Sequence, residues 1–349
     1  MPERDGGGDD DAKIEFVTAN GPVSEPRFGV LLPHFGASAT RELITSSART
    51  LEDLGFDSVW VRDHVIYRPH EHEEQNLRYL DGILTLAFVA AETSRIALGT
   101  AVLIPHRHPI YLAQLMANLD FLAGPGRVIL GMGTGRYDDE FEAIGMGGIK
   151  RGALLEEQVE ILRKLWTGEA ASHDGAQYHF DSVTADPHPL NGHIPVWCGG
   201  KVTATLRRVA RQFDGWLASR IPRRDFAPRV RQLEELAHEA GRQRPTVAVV
   251  VQVSPAATVE EGAAAMNLAQ LGAELDSSKF LRPPSGRFAA WEDFDGVVLP
   301  GPADVIAGEL GKYQELGAEH FVLDLRNRVA DWDDCLAMLG EEVLPLMRR

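Results

Sequence analysis

The sequence predicts an α/β protein, a (β/α)8 TIM barrel with insertions after its fourth and seventh strands. Three observations predict it. Eight short apolar runs alternate with helix-spaced segments, and no drop in that pattern marks a linker. The stretch from Arg95 to Gly135 holds one complete unit: an apolar run, a helix-spaced segment closed by Pro125-Gly126, then a second apolar run. Strand, helix, strand at that length is a crossover, which requires the two strands to be parallel. Both of those strands also end in Gly/Thr-rich loops, where parallel α/β folds place their ligand sites. A doubly wound open sheet is the weaker alternative.

Residues 1–26 carry a Gly/Asp run with little periodicity, so a disordered extension is expected there and a single folded domain over 27–349. Phe28–Leu32 reads as the first strand and ends at Pro33-His34. Thr40 can cap a helix with Leu43, Ile44, Ala48, Leu51 and Leu54 on one face, stopped by Gly55. Ser58–Val61 is the second strand, followed by Arg62-Asp63-His64 and a polar, His-rich loop from Tyr67 to Asn76. A helix over Gly82–Glu92 leads to the third strand at Ile96–Leu98, and Ile110, Leu112, Met116 and Leu119 mark the next helix. Val128–Leu130 is the fourth strand. Helical tracts at Asp138–Ala143 and Leu154–Trp166 follow, then a loop with a short hairpin in GAQYHFDSV. The fifth strand is Pro195–Cys198, the sixth Asp214–Ala218 and the seventh Thr246–Val253, with helices at Thr203–Arg211 and Asp225–Ala240 between them. One helix is expected over Val259–Leu275. A Pro-, Gly- and aromatic-rich stretch, Asp276–Pro302, precedes helix Ala303–Leu316, the eighth strand Phe321–Leu325 and a last helix, Trp332–Leu346.

Composition narrows the function. With 349 residues, 44% of them hydrophobic and 25% charged, the chain can bury a large core. Its formal charge of −16 argues against nucleic acid or an anionic membrane as partner, while leaving room for a local basic pocket. Cys198 and Cys335 cannot build a disulfide framework, and no Cys/His cluster has zinc spacing, so neither a metal nor an oxidising compartment is expected. The apolar runs fall short of a membrane span, and the acidic, Gly-rich start is unlike a signal peptide. The expected location is the cytoplasm.

In a barrel, residues just after each strand converge on one face. That selects His34, Asp63-His64, Thr100 to Val102, the Gly131–Gly135 loop with Arg136, Gly199-Gly200, Arg220 and Asp324–Arg326. No Ser or Cys sits in a G-x-S-x-G elbow and no carboxylate cluster suggests paired metals, so hydrolytic classes fit poorly. The set suits an electron-transfer cofactor better. His64 can give or accept a proton with Asp63 orienting it; the plain alternative is a turn-capping Asp beside a packed His. Gly199-Gly200 before a helix offers bare N–H groups to a phosphate, or simply a close turn. Gly131 to Gly135 lacks the third glycine and partner acid of a dinucleotide fingerprint, which leaves a tight turn open. Arg136 and Arg220 can hold anionic groups.

The segments GTAVLIPHRHP, LGMGTGRYDDEFEAIG, RGALLEEQVEILRKLWTGE, IPVWCGG and FDGWL follow one another in an order that resembles the bacterial luciferase-like monooxygenase family. The resemblance runs from about Phe28 to Leu346 and is most similar to the coenzyme F420-dependent oxidoreductase branch; FMN-dependent monooxygenases share the barrel. It implies a TIM barrel with a deazaflavin or flavin ring at its C-terminal face and a non-proline cis peptide, here Ala101-Val102, behind the ring. It also places Asp63-His64 on the Asp-His pair of the F420 enzymes and Gly199-Gly200 on their phosphate site. Cofactor contacts are then expected at Thr100, Ala101, Val102, Gly133, Gly135, Gly199 and Gly200, and substrate contacts at His34, Arg136 and Arg220. The implied activity is hydride transfer between F420 and a small organic substrate. The alternatives are a two-component FMN monooxygenase fed by a separate reductase, and a non-catalytic flavin-binding paralogue. A homo-oligomer, most simply a homodimer, is expected. One departure counts: Arg136 stands where many F420 dehydrogenases carry an acid and many flavin relatives a Trp, which tells against a sugar-phosphate-type dehydrogenase.

Overall fold

The computed structural model describes residues 25–66, 78–276 and 281–348. Nearly all of the expected extension and the whole His-rich loop from Tyr67 to Asn76 lie outside the described residues. The chain runs β1 (Arg27–Leu31), α1 (Arg41–Asp53), β2 (Ser58–Val61), α2 (Gly82–Ala90), β3 (Ala97–Thr100), α3 (Pro109–Ala123) and β4 (Val128–Met132). Then come α4 (Asp138–Ala143), α5 (Arg151–Leu165), the antiparallel hairpin β5 (Ala171–Asp174) and β6 (His179–Val183), β7 (Val196–Gly199) and α6 (Thr203–Gln212). β8 (Gly215–Ser219), α7 (Arg223–Glu239), β9 (Thr246–Pro255), α8 (Val259–Ala264), α9 (Leu268–Asp276) and β10 (Val298–Gly301) follow. α10 (Ala303–Glu315), β11 (His320–Asp324), α11 (Trp332–Met338) and α12 (Leu344–Met347) complete it.

Eight parallel strands close the barrel in the order β1-β2-β3-β4-β7-β8-β9-β11, with β11 pairing back to β1. These are the eight strands expected from sequence. Two other expectations change. The single helix expected over Val259–Leu275 is two helices, because the Asn267 side chain accepts from the Gln270 amide (3.3 Å) and starts a new one. The stretch Asp276–Pro302 hides a ninth strand, β10. β9 outruns β8, so its later even-numbered amides need new acceptors: Gln252 N–H donates to Val297 O (3.0 Å) and Ala256 N–H to Gly301 O (3.0 Å).

Alternate strand residues fill the barrel: Leu31, Trp60, Ala97, Ile129, Trp197, Leu217, Ala248, Val250 and Val322. Two tryptophans are much of that filling, with ring centroids 5.4 Å apart. Neighbouring strands make room with glycine, since a Cβ at Gly99 would lie 2.3 Å from the Trp60 ring and one at Gly215 2.6 Å from Trp197. His320 meets both rings edge-on and hydrogen-bonds Ser58 Oγ (2.8 Å), which also accepts from Trp60 Nε1 (2.8 Å). Outside the strands, the apolar faces of the helices complete a second, larger core. Among the described residues no helix is long and apolar enough to cross a membrane.

Two histidines are locked in this core as neutral rings. Burial first, then the charge of Arg27, takes His320 down to about 3. Burial first, then Arg62, takes His34 down to about 4. Both lie below the ordinary 6.5, so the unfolded chain binds their protons before the folded one does. Stability from these groups is therefore complete above about pH 6.5 and is lost as the pH falls toward the folded values, at up to about 1.4 kcal/mol per pH unit for each ring. Urea unfolding between pH 7 and 4.5 is expected to show that slope, and His320→Asn is expected to remove one ring's share of it. An unchanged slope in the variant would show that His320 is not held neutral.

Candidate active site at the barrel mouth

The strand ends build the mouth around one bulge. The Ala101-Val102 peptide is cis, as the family resemblance implied. Ala101 N–H donates to Val61 O (2.7 Å) and Leu103 N–H to Gly131 O (2.8 Å), which ties the segment between β2 and β4. The Thr100 hydroxyl is also spent on Gly131 O (2.7 Å), and Thr100 is fully buried. Thr100 is thus a tie within the wall, a correction to its expected place as a cofactor contact. Val102 is half-buried and lies over bare backbone: a Cβ at Gly133 would sit 2.6 Å from its Cγ2 and one at Gly199 2.9 Å from its Cγ1. At Gly131 a Cβ would fall 1.9 Å from Thr100 O. The Gly131–Gly133 run is therefore a seat for the bulge and is neither a dinucleotide fingerprint nor a plain turn. Gly135 (φ 70°) makes the turn toward α4, and a Cβ there would press on Ile104.

His64 stands beside that bulge, after β2. Its Nδ1 lies 3.0 Å from Glu140 Oε1, which also accepts from the Val65 amide (3.2 Å). With Nδ1–H donating to this carboxylate, Nε2 is the basic nitrogen. Burial pushes the Glu140 carboxyl up, but the hydrogen bonds from His64 and Val65 outweigh it and hold the group below its ordinary range. The rings of Tyr79 (5.9 Å), Tyr137 (5.9 Å) and Phe35 (6.1 Å) surround the imidazole.

The expected partner, Asp63, does something else. Arg107 grips both of its oxygens (Nη1 to Oδ2 2.8 Å, Nη2 to Oδ1 3.0 Å), and the Ile104 amide donates to Oδ2 (3.0 Å). Arg107 also donates to Asp81 (2.6 Å), whose Oδ1 caps α2 at Leu84. The pairs raise the Arg107 guanidinium above its ordinary range even against burial. Asp63 frames the site, and Glu140 orients His64. This corrects the sequence reading, which took the acid nearest in the chain. The missed signal was a carboxylate in the first turn of the helix expected right after the fourth strand.

His34 also needs correction as a substrate contact. It is fully buried, its Nδ1–H donates to Leu32 O (3.0 Å), and its Nε2 accepts from the Arg62 amide (3.1 Å). Both ring nitrogens brace the loops after β1 and β2.

The other side of the mouth is cationic. Gly200 has φ 133° and a Cβ there would meet Thr205 Oγ1 at 2.7 Å, so the glycine is required by backbone and packing alone. Lys201 follows it; burial first, then Arg220, brings its amine down to about 8. α6 begins just beyond, with Val202 in the capping position and therefore no side-chain acceptor for its first amides. Arg136 and Arg220 converge here as their expected common role requires, but on a protein anion: Arg220 Nη1 donates to both oxygens of Glu274 (2.8 Å each), and Arg136 donates to the same carboxylate. Glu274, on α9, is a residue that sequence reasoning missed. Asp324 is buried and accepts from Arg326 (2.7 Å).

The bulged third strand, the histidine supported by a buried acid and the cationic residues after β4, β7 and β8 all lie at the C-terminal ends of the barrel strands, the face on which barrels of this kind carry their sites. The chain belongs to the luciferase-like monooxygenase family, whose sequence model matches residues 27–320. An uncharacterised Mycobacterium tuberculosis protein is 35% identical over 225 residues, covering 60% of this chain and 79% of that one. The F420-dependent glucose-6-phosphate dehydrogenase of Nakamurella multipartita is 27% identical over 332 residues, covering 90% and 94%. Among solved structures, an F420-dependent secondary alcohol dehydrogenase in complex with an F420-acetone adduct superposes with a TM-score of 0.75 at 19% identity, over 93% of this chain and 100% of that one. The oxygenating constituent of a Pseudomonas putida 3,6-diketocamphane monooxygenase with FMN does so with a TM-score of 0.72 at 20% identity, over 92% and 99%. The last two share the fold.

Double-mutant cycles measured by urea unfolding separate the two carboxylates. His64→Ala with Glu140→Gln is expected to show a coupling of about 0.5–3 kcal/mol, and His64→Ala with Asp63→Asn less than about 0.5 kcal/mol. The reverse ranking would return the orienting role to Asp63.

Proposed function

We propose that this enzyme of the luciferase-like family transfers a hydride between coenzyme F420 and a small organic substrate, with His64 as the proton partner at the reacting centre. The observation that carries the reading is the His64–Glu140 pair at the end of β2, the strand next to the bulged β3, with the uncapped start of α6 and Lys201 two strands beyond β3. Val102, Ala101 and the bare edges at Gly133 and Gly135 would support the ring, and Gly199, Gly200 and Lys201 would hold the phosphate. Bound deazaflavin supplies the hydride chemistry. The chain supplies placement and the proton: Glu140 fixes the tautomer of His64, so that Nε2 is the atom that takes or returns a proton as the substrate changes oxidation state. The choice of F420 rests on the relative from Nakamurella multipartita, which matches over nearly its whole length. A separate enzyme that reduces F420 is the natural partner, and the cytoplasm the natural setting.

We also propose a homodimer through α2 and α3, which pack side by side. Tyr111, Leu115 and Leu122 recur at helical spacing on the solvent face of α3, and Leu84 extends the patch onto α2. Tyr111, Leu122 and Leu84 are each about two-thirds or more exposed (67%, 74% and 72%), and large exposed apolar side chains on two packed helices favour an interaction face.

Fluorescence titration with F420 and FMN, each oxidised and reduced, tests the cofactor. F420 is expected to bind at least about tenfold more tightly than FMN, and Lys201→Ala to weaken F420 by about tenfold or more, the scale of one charged hydrogen bond. Tighter binding of reduced FMN would move the reading to a two-component monooxygenase, and binding of neither would overturn both. For the dimer, light scattering after gel filtration is expected to give twice the chain mass, and Leu122→Glu to give the chain mass. A monomeric wild-type protein ends that proposal.

A further inference from the structure

One polar residue interrupts the apolar run Val247–Val253 of β9, and that residue is Gln252. Side chains alternate along a strand, so Gln252 shares the inward face with Ala248 and Val250, both part of the interior stack. β9 keeps an unshifted register with β11 from Ala248 to Gln252, which carries the alternation to that point. Gln252 is 2% exposed, and neither its Nε2 nor its Oε1 has a hydrogen-bond partner among the described residues. Asp324 lies directly across from it on β11, yet Asp324 is spent on Arg326, accepting from the amide (3.1 Å) and from Nε (2.7 Å). Burial pushes the Asp324 carboxyl up, but Arg326, Arg62 and Arg220 outweigh it and keep it charged. A buried amide with both atoms unsatisfied is unfavourable, and one more valine would continue the run without that loss. The position of Gln252 suggests what it is kept for. β9 stands four strands from β3 in either direction round the barrel, and Ala101 and Val102 pack on the same interior stack. Gln252 and the Val102 bulge thus cap one stack from opposite walls. On β8 the inward Ser219, paired with Val250, is exposed, so solvent enters the barrel beside it.

We propose that Gln252 is a specificity-determining residue of the mouth, and that its side-chain amide recognises a neutral substrate by an amide or lactam group. Such a group carries a C=O and an N–H on one edge. Its oxygen accepts from Nε2–H while its N–H donates to Oε1, so one ligand satisfies both atoms at once. A carboxylate would leave Oε1 facing an anion, and an ammonium would leave Nε2–H facing a cation. A simple ketone would satisfy Nε2 alone. Naming the ligand as substrate rests on the function proposed above; recognition of an amide by Gln252 does not.

Gln252→Met keeps the side-chain length and removes both polar atoms, which gives two tests on the full chain. Thermal unfolding without ligand is expected to show an equal or higher Tm in the variant, since nothing in the fold is lost. A fall of several degrees, or failure to fold, shows that the amide is satisfied within the protein and overturns the proposal. The second test is an NMR titration with two probes, 2-pyrrolidinone and N-methyl-2-pyrrolidinone, which differ in the N–H. The wild type is expected to bind the first about tenfold or more tightly than the second, and Gln252→Met to lose that preference. The lactam is also expected to shift the Gln252 side-chain NH2 signals, identified by their absence from the variant. Equal binding of the two probes by the wild type overturns amide recognition, as does a preference that survives in the variant. Repeating the titration with F420 bound assigns the source. Retained lactam binding supports a substrate, whereas its loss hands Gln252 to the imide edge of the cofactor ring and overturns the substrate assignment. If F420 itself does not bind, the cofactor reading falls and the comparison of the two probes still judges Gln252.

Discussion

The mouth of this barrel depends on a close approach that only glycine allows. Val102 leans across β4 and β7, and any side chain at Gly133 or Gly199 would occupy its place. The bulge is also fixed by hydrogen bonds, from Ala101 to β2 and from Leu103 to Gly131. Once Val102 is seated, a short apolar step stands at the top of the interior stack, over Trp60, Ile129 and Trp197. A flat ring could lie against such a step and gain apolar contact. The polar groups can then act from the sides. His64 approaches from β2 and the cations from β7 and β8, with β3 and its bulge set between them in the strand order.

Two buried carboxylates divide the work on the histidine side, and their partners decide which does what. Asp63 is neutralised by a forked guanidinium that is itself shared with Asp81, so its charge is committed to holding three chain segments together. Its hydrogen bonds go to Arg107 and the Ile104 amide, and none of them is to His64. Among the described residues Glu140 has no cation of that kind in its hydrogen bonds. It accepts from an imidazole and an amide, both of them weaker donors, and keeps its charge because they suffice against burial. Its contact with His64 is the hydrogen bond to Nδ1. The residue next in sequence frames the site, and the one 76 positions away holds the imidazole by a hydrogen bond.

How legible this was follows from what each feature needs. The eight barrel strands were plain because each is largely buried and carries a short apolar run, such as Val247–Val251. β10 was not, because its Val298–Gly301 run ends in Pro300 and Gly301 and exists to satisfy amides that β9 leaves over. That need arises only once β8 is known to be shorter than β9. The site divides in the same way. Residues that a strand end must deliver, such as His64 and Val102, are found by counting along the chain, whereas Lys201, next to the expected Gly199-Gly200, was passed over. Partners reached through space are not: Glu140 and Glu274 come from helices in the two long segments, and nothing local in the sequence ties them to β2 or β8. His34 looked like a mouth residue because it follows β1, yet its ring turns back to the Leu32 and Arg62 backbone.

The distribution of charge gives the site its direction. The chain carries a formal charge of −16, and an anionic ligand approaching it meets a repelling field over most of the surface. Lys201, Arg136 and Arg220 reverse that field at one part of the rim, beside the uncapped start of α6. The lowered amine of Lys201 shows how crowded these cations are, since burial and its positive neighbours both disfavour a further charge there. One carboxylate, Glu274, relieves part of the crowding. Both arginines share that one carboxylate beside the start of α6. An elongated ligand with an anionic end and a neutral flat end has one favourable orientation in that field. Under the proposed function the anion would go to the β7–β8 side and the ring would lie over Val102, with His64 at the end of the neighbouring strand β2.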